Sequence, residues 1–260
     1  METIEIAATG MFAQQVAVEV IANNLANLNT TGFKRRETEF SNLLVEDLER
    51  GGFTTPTTDG AVPAGVESGY GVELAGISRI HEQGNLKATG NTFDLAIQGQ
   101  GFFQITLPTG DTAYSRDGTF QINGDGEIVT HLGYTLAPGI TVPSNATDVT
   151  INASGGVMAK VEGEVNLVNL GQIQLVIFPN AAGLENTGGN LLVETAASGA
   201  PTVGTPAAGG FGSLRQGFLE TSNVNPIQEI ANLIKAQRAY EMNAKVIETA
   251  EKMASTTTTA

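Results

Sequence analysis

The sequence predicts an α+β chain: long N- and C-terminal α-helices forming a coiled-coil-like inner domain, and a central, mostly antiparallel β-domain. Three observations predict it. The first 30 and last 38 residues carry apolar side chains at heptad spacing. The stretch between them alternates short β-prone runs with Gly, Pro and Asn turns. Charge follows the same division: residues 53–222 hold 15 acids and 5 bases, whereas residues 223–260 hold four of each.

At the N-terminus, Ile4, Ala7, Met11, Gln14, Val18, Ile21, Leu25 and Leu28 fall on one a/d stripe, interrupted only by Gln14. Ala8, Ala22 and Ala26 flank it with side chains small enough for close helix approach. Gly10 costs about 1 kcal/mol against Ala in a helix interior. Asn29-Thr30-Thr31-Gly32 supplies turn and C-cap chemistry, so the helix stops near residue 29. The C-terminal helix starts where Asn225 can cap, Pro226 suits the first helical position and Gln228 can reach back. Its apolar stripe is Ile230, Leu233, Ile234, Gln237, Tyr240, Ala244, Ile247 and Ala254, broken at Glu251. The threonine-rich end should fray.

Two such helices can form an intramolecular hairpin. A narrow seam between only two long helices would leave much of their surface unpacked, so partner helices from other chains are the favoured reading.

The middle reads as strands and turns. Val72–Leu74 and Ile77–Ile80 are short strand candidates, and Phe93–Ile97 leads through Gly99-Gln100-Gly101 into Phe102–Ile105. Asn123-Gly124-Asp125-Gly126, between Thr119–Ile122 and Glu127–Thr130, is a hairpin signal. Residues 164–178 are strand material broken at Gly171, with Glu162 and Glu164 on one solvent face; residues 180–212 are loops with short strands. Gly51–Gly71, with Pro56, Pro63 and several glycines, is a flexible linker or an extended hairpin.

Composition excludes several functions. The net charge of −14 argues against nucleic acid, which needs a local excess of Lys and Arg. The absence of cysteine excludes disulfides and thiolate metal sites. The acidic start, Met1-Glu2-Thr3-Ile4-Glu5, is unlike a secretory signal, and no apolar run is expected to form a membrane span. Gly99-Gln100-Gly101 lacks the third glycine of a dinucleotide loop, no phosphate loop or nucleophile elbow occurs, and His81-Glu82 has no second histidine at zinc-protease spacing. No catalytic, cofactor or metal site is expected. Lys34-Arg35-Arg36, followed by Glu37 and Glu39, is expected to be a solvated or salt-bridged face.

Three blocks carry a resemblance. Asn23 to Lys34 (Asn-Asn-Leu-Ala-Asn-Leu-Asn-Thr-Thr-Gly-Phe-Lys) is similar to the N-terminal motif of the flagellar rod and hook axial family. Asp94–Phe103 and Tyr114–Phe120 resemble that family's central β-domain. Glu220–Asn225, with Ala236–Glu241, resembles its C-terminal helix and the residues before it.

The resemblance implies that residues 1–33 and 223–260 form an inner polymerisation domain, 34–72 a connecting segment with an extended arm, and 73–222 the β-domain. It implies a helical homopolymer lining an export channel, with contacts carried by Ile4, Met11, Val18, Ile21, Leu25, Leu28, Asn24, Asn27, Gly32 and Phe33 on the first helix and its turn. On the second helix they are carried by Ile230, Leu233, Ile234, Gln237, Tyr240, Ala244 and Ile247. The implied partners are proximal rod proteins, the hook protein, periplasmic and outer-membrane ring proteins, and the flagellar type III export apparatus. The implied location is the periplasmic rod of the basal body, reached without a cleaved signal. The Gly51–Gly71 stretch favours the distal section of the rod, and 260 residues cannot hold the hook protein's extra outer domain. A proximal rod or hook-type subunit is the alternative. A surface adhesin would call for a signal and an anchor, and an enzyme for a convergent polar constellation.

Overall fold

The computed structural model describes residues 2–43, 45–49, 66–163 and 166–258. The chain divides into two compact units: residues 1–25, 36–78 and 225–260 form one, and residues 26–35 and 79–224 the other.

The first unit contains both long helices, α1 (Glu2–Ala26) and α2 (Pro226–Thr258). Asn225 caps α2 as expected: its Oδ1 accepts the backbone N–H groups of Ile227 and Gln228, at 3.1 and 3.4 Å. The helices run antiparallel. Near the end of α1, Asn24 donates to Glu229 at the start of α2. Near the start of α1, a Cβ added to Gly10 would lie 2.7 Å from Asn243 Nδ2. That register sets Ala17 level with Ala236, and both are buried.

The seam differs from the predicted stripe. Ala7 of the stripe is buried as expected, but the other buried positions of α1, Ala13, Ala17, Val20 and Asn24, each precede a stripe residue by one, and Ile4, Met11, Val18, Ile21 and Leu25 of the stripe are half-buried. On α2, Glu229 and Ala236 are buried, Leu233 and Ile247 are half-buried, and Ile230, Ile234, Gln237, Tyr240 and Ala244 are exposed. The physical reason is axial distance. Gly10 and the alanines let the helices approach too closely to seat a row of large side chains between them. Read for its largest residues, the heptad pattern identifies the outward apolar faces, while the small residues beside them make the hairpin.

No membrane-spanning run is expected from the sequence, yet within Thr3–Ala26 an 18-residue window reaches a mean hydropathy of 1.3, so that by length and composition alone this helix is long and apolar enough to cross a membrane. Its alanine seam against α2 equally suits a packed helix.

Four strands complete this unit: β1 (Arg36–Asn42), β2 (Val45–Glu49), β3 (Val66–Gly69) and β4 (Val72–Arg79). β1 pairs with β4, and β2 pairs antiparallel with β3. The two strand candidates at 72–80 are thus one strand. β2, which precedes the Gly/Pro-rich stretch, pairs with β3 near its end; residues 51–65, on which the linker and extended-hairpin readings fall, lie outside the described residues. Gly71, at φ 112°, lets the chain pass against Thr9 of α1, whose Oγ1 accepts the Val72 N–H at 3.3 Å.

The second unit is β-structure. Its strands are β5 (Leu86–Ala88), β6 (Leu95–Gln98), β7 (Phe102–Thr106), β8 (Thr112–Ser115), β9 (Phe120–Ile122), β10 (Ile128–Thr130), β11 (Thr135–Leu136), β12 (Ala146–Ile151), β13 (Gly156–Val161), β14 (Val168–Gln172), β15 (Leu175–Ile177), β16 (Glu185–Gly188), β17 (Leu191–Val193), β18 (Thr202–Gly204), β19 (Ser213–Gln216) and β20 (Phe218–Glu220). β7 is the axis of a nine-stranded antiparallel sheet. Along one edge it pairs with β8; along the other, Phe102 and Phe103 pair with β15, and Ile105 and Thr106 with β11. Both faces of β7 are covered, Phe103 facing the main core and Phe102 a second cluster with Tyr114 and Phe178, so its side chains read as a nearly continuous apolar run.

The main core gathers Leu95, Ile97, Phe103, Phe120, Ile128 and Leu175 with residues of β12–β14, and the Phe103 and Phe120 rings meet edge to face at 5.1 Å. Asn123–Gly126 turns between β9 and β10 as expected, with Asn123 Oδ1 accepting the N–H groups of Asp125 and Glu127. Glu162 lies in the turn after β13 instead of on a strand face, and Glu164 lies outside the described residues.

Gly118 has no room for a side chain: a Cβ there would be driven into the Leu95 carbonyl oxygen, whereas one at Gly124 meets nothing within 4 Å. Gly118→Ala is expected to cost about 3 kcal/mol or more, and Gly124→Ala less than about 0.5 kcal/mol. Chemical denaturation followed through the β signal checks both; equal midpoints would contradict the assigned packing.

Candidate functional site

The three motif blocks meet in the second unit at a buried carboxylate. Glu220, at the end of β20, is 1% exposed. One oxygen accepts Lys34 Nζ at 2.6 Å and the Gly84 N–H at 2.9 Å; the other accepts Arg116 Nε at 2.9 Å. Arg116 spends its remaining nitrogens on the carbonyls of Gly101 and Gly99, at 2.5 and 2.8 Å, and Lys34 also donates to the Glu82 carbonyl at 2.6 Å. Each block thus supplies one charge, and the two glycines of Gly99-Gln100-Gly101 expose the carbonyls that hold the guanidinium. Both glycines sit at positive φ, 111° and 135°.

Backbone bonds close the same site. Gly32, in the left-handed region at φ 69°, donates its N–H to the Glu220 carbonyl at 2.8 Å, and a Cβ there would press on the Arg116–Asp117 peptide at 2.8 Å. Asn223 accepts the Arg35 N–H at 2.7 Å and donates to the carbonyls of Ile80 and Glu82. Its own N–H reaches the Phe33 carbonyl. Asn190 Nδ2 donates to the Thr31 carbonyl at 3.2 Å. The Asn27–Phe33 turn is thereby fastened to the β-unit. Asn27 accepts the Thr30 hydroxyl.

Lys34 is therefore salt-bridged but buried, and not on a solvated face. A stem that follows an apolar Phe33 and reaches inward finds a carboxylate waiting there. Burial lowers its pKa, outweighing the opposing pull of Glu220. His81 lies beside the hub, its ring edge-on to Phe102 at 5.8 Å. Burial first, then the positive charges of Arg79, Lys34 and Arg116, lower its pKa to about 4.

The expected contact residues separate into two groups. Asn24 is a structural tie: its amide donates to the Arg36 carbonyl at 2.8 Å and accepts the Arg36 N–H at 2.9 Å, besides reaching Glu229. Gly32 and Phe33 belong to the hub. Ile230, Ile234, Gln237, Tyr240 and Ala244 face outward from α2, while Ile4, Met11, Val18, Ile21, Leu25, Leu28, Leu233 and Ile247 are half-buried. Sequence reasoning missed Arg116, Glu220, Glu229 and His81; the first two already lay inside the quoted motif blocks. No group of three His, Cys, Asp or Glu side chains that could hold a metal occurs among the described residues.

A long helix at each end and a β-unit fastened through motifs from all three parts of the chain define the class of flagellar rod and hook axial proteins. Family signatures agree: "Flagella basal body rod protein" matches residues 4–34, "Flagellar hook protein FlgE/F/G D1 domain" residues 96–159, and "Flagellar basal body rod FlgEFG protein C-terminal" residues 215–260. The flagellar basal-body rod protein FlgG of Caulobacter vibrioides is 52% identical over 97% of each chain, and that of Agrobacterium fabrum 49% over 98% of this chain and 97% of its own. FlgF of Caulobacter vibrioides is 35% identical over 89% of this chain and 86% of its own. The chain belongs to the family of the flagellar basal-body rod protein FlgG, structural subunits of the flagellum.

Two outcomes are expected of the hub. Glu220→Gln leaves two buried cations without a counter-charge and should cost about 3–5 kcal/mol. Lys34→Met leaves Arg116 and Glu220 balanced and should cost clearly less. Urea titration of both variants checks the order, and the reverse order would refute the hub's role. The second outcome concerns acid. Because native His81 resists protonation until about pH 4 and the unfolded ring takes its proton near 6.5, the unfolded state binds more protons between those values. Stability should therefore be intact above pH 6.5 and fall by about 3 kcal/mol towards pH 4, a loss absent in His81→Phe.

Proposed function

We propose that this chain is the structural, non-enzymatic subunit of the distal rod, polymerising into a hollow helical shaft that carries torque from motor to hook and encloses the export channel. The observation that carries this reading is the outward apolar face of α2. Ile227, Ile230 and Ile234 are 79%, 47% and 53% exposed in the single chain, one above another at helical spacing. The half-buried Ile4, Met11, Val18, Ile21 and Leu25 offer a second such row on α1. Neighbouring copies supply the surfaces that cover both. Proximal rod proteins, the hook protein, the periplasmic and outer-membrane rings and the type III export apparatus are the further partners of such a subunit, and the periplasmic rod is its place. A proximal rod or hook-type role is the weaker reading, since FlgG-type relatives share more of the sequence than FlgF does.

Ile234→Asp tests the reading. The carboxylate sits in water in the lone chain, so the monomer should keep its circular dichroism and its denaturation midpoint. In a polymer the same carboxylate is buried unpaired at a helix interface, and sedimentable polymer should fall at least tenfold. Normal polymer from this variant would overturn the assignment of this face.

A further inference from the structure

We propose that the cavity beside His81 is a binding site for a carboxylate group. The cavity holds about 240 Å³ and lies wholly within the β-unit. Lys34, Arg116 and His81 form its polar side; Phe102, Phe178 and Pro179 wall the remainder.

Three observations converge there. The buried hub carries two cations against the single carboxylate of Glu220, a surplus of one positive charge. Glu82 also acts on Lys34, but its side chain is exposed and screened by water. Both ring nitrogens of His81 are enclosed and neither closes a hydrogen bond of full geometry, the ring having only a weak approach to the Ala181 backbone, although a neutral imidazole has one donor and one acceptor to satisfy. The charges that act on the ring, those of Arg79, Lys34 and Arg116, are all positive. A monoanion that accepts from the imidazole cancels the surplus and gives the ring its partner. A carboxylate is planar, singly charged and small enough for a cavity of about 240 Å³ walled in part by Phe102 and Phe178; a phosphate dianion would overshoot the charge. The shared chemistry has two sources: a small free carboxylate, or an Asp or Glu side chain of a neighbouring copy, since each copy carries 27 acidic residues. The second source rests on the polymer reading above; the first does not.

The chain has two histidines, and His131 is exposed, so it serves as an internal control. The test is nitrogen-detected histidine NMR of the full-length monomer titrated with sodium acetate at constant ionic strength. Acetate is expected to shift the His81 signals and the Gly99 and Gly101 amides saturably, and to raise the His81 midpoint by about one pH unit, a ~tenfold preference for the charged ring. His131 should not move. His81→Phe, which keeps a ring against Phe102 and whose fold is checked by amide dispersion, should lose the Gly99 and Gly101 shifts. The same signals read in sedimented polymer separate the sources. A His81 signal already at its bound position and indifferent to acetate identifies a neighbour's carboxylate; one that still responds identifies a free one. No saturable response in the monomer, an equal response at His131, shifts that persist in His81→Phe, or a response to phosphate but not acetate would overturn the site. None of these monomer results bears on whether the chain polymerises, so the two readings fail separately.

Discussion

The Glu220 carboxylate is the constraint on which the β-unit depends. A carboxylate removed from water is tolerable only with several donors, and here the donors come from chain positions far apart: Lys34, Gly84 and Arg116. Arg116 in turn occupies the carbonyls of Gly99 and Gly101, and the buried Gly101 carbonyl would otherwise lack this partner. Removal of any one participant leaves another buried and unsatisfied. That interdependence specifies one arrangement of the Asn27–Phe33 turn, the β6–β7 turn and the end of β20, more than it adds net stability.

Much of the architecture was legible because it rests on local rules. The α2 start at Asn225-Pro226, the turn at Asn123–Gly126 and the α+β division follow from capping, turn chemistry and periodicity, all of which act within a few residues. Two things were not legible. Which side of the α1 stripe makes the hairpin depends on how closely the helices approach, and that is set by Gly10 against Asn243 and Ala17 near Ala236, far apart in sequence. Lys34 reads as a surface cation because Arg35, Arg36, Glu37 and Glu39 surround it in sequence. Only Glu220, 186 residues away, makes it a buried one.

The helix faces and the hub solve opposite problems. The hub is built within one chain: Lys34 and Arg116 donate to Glu220 and to the backbone carbonyls of Glu82, Gly99 and Gly101. The helices are open. Their small residues meet within the chain, and their large apolar residues are left to water. Placing alanines in the intrachain seam confines the burial available to a single chain to small areas, since each alanine removes far less apolar surface from water than an isoleucine.

That placement has a consequence for how an assembly of such chains would be driven. The apolar area held back on Ile227, Ile230, Ile234 and Met242 contributes nothing to the folded monomer, so it remains available in full as association energy between copies. The balanced charge of residues 223–260, four acids and four bases, adds no net repulsion when such helices crowd together. The surplus acid lies instead in residues 53–222, where a net of −10 favours solvation over close packing. The exposed apolar row and the balanced charge of α2 are thus compatible with association through that helix, while the acidic excess is carried by residues 53–222.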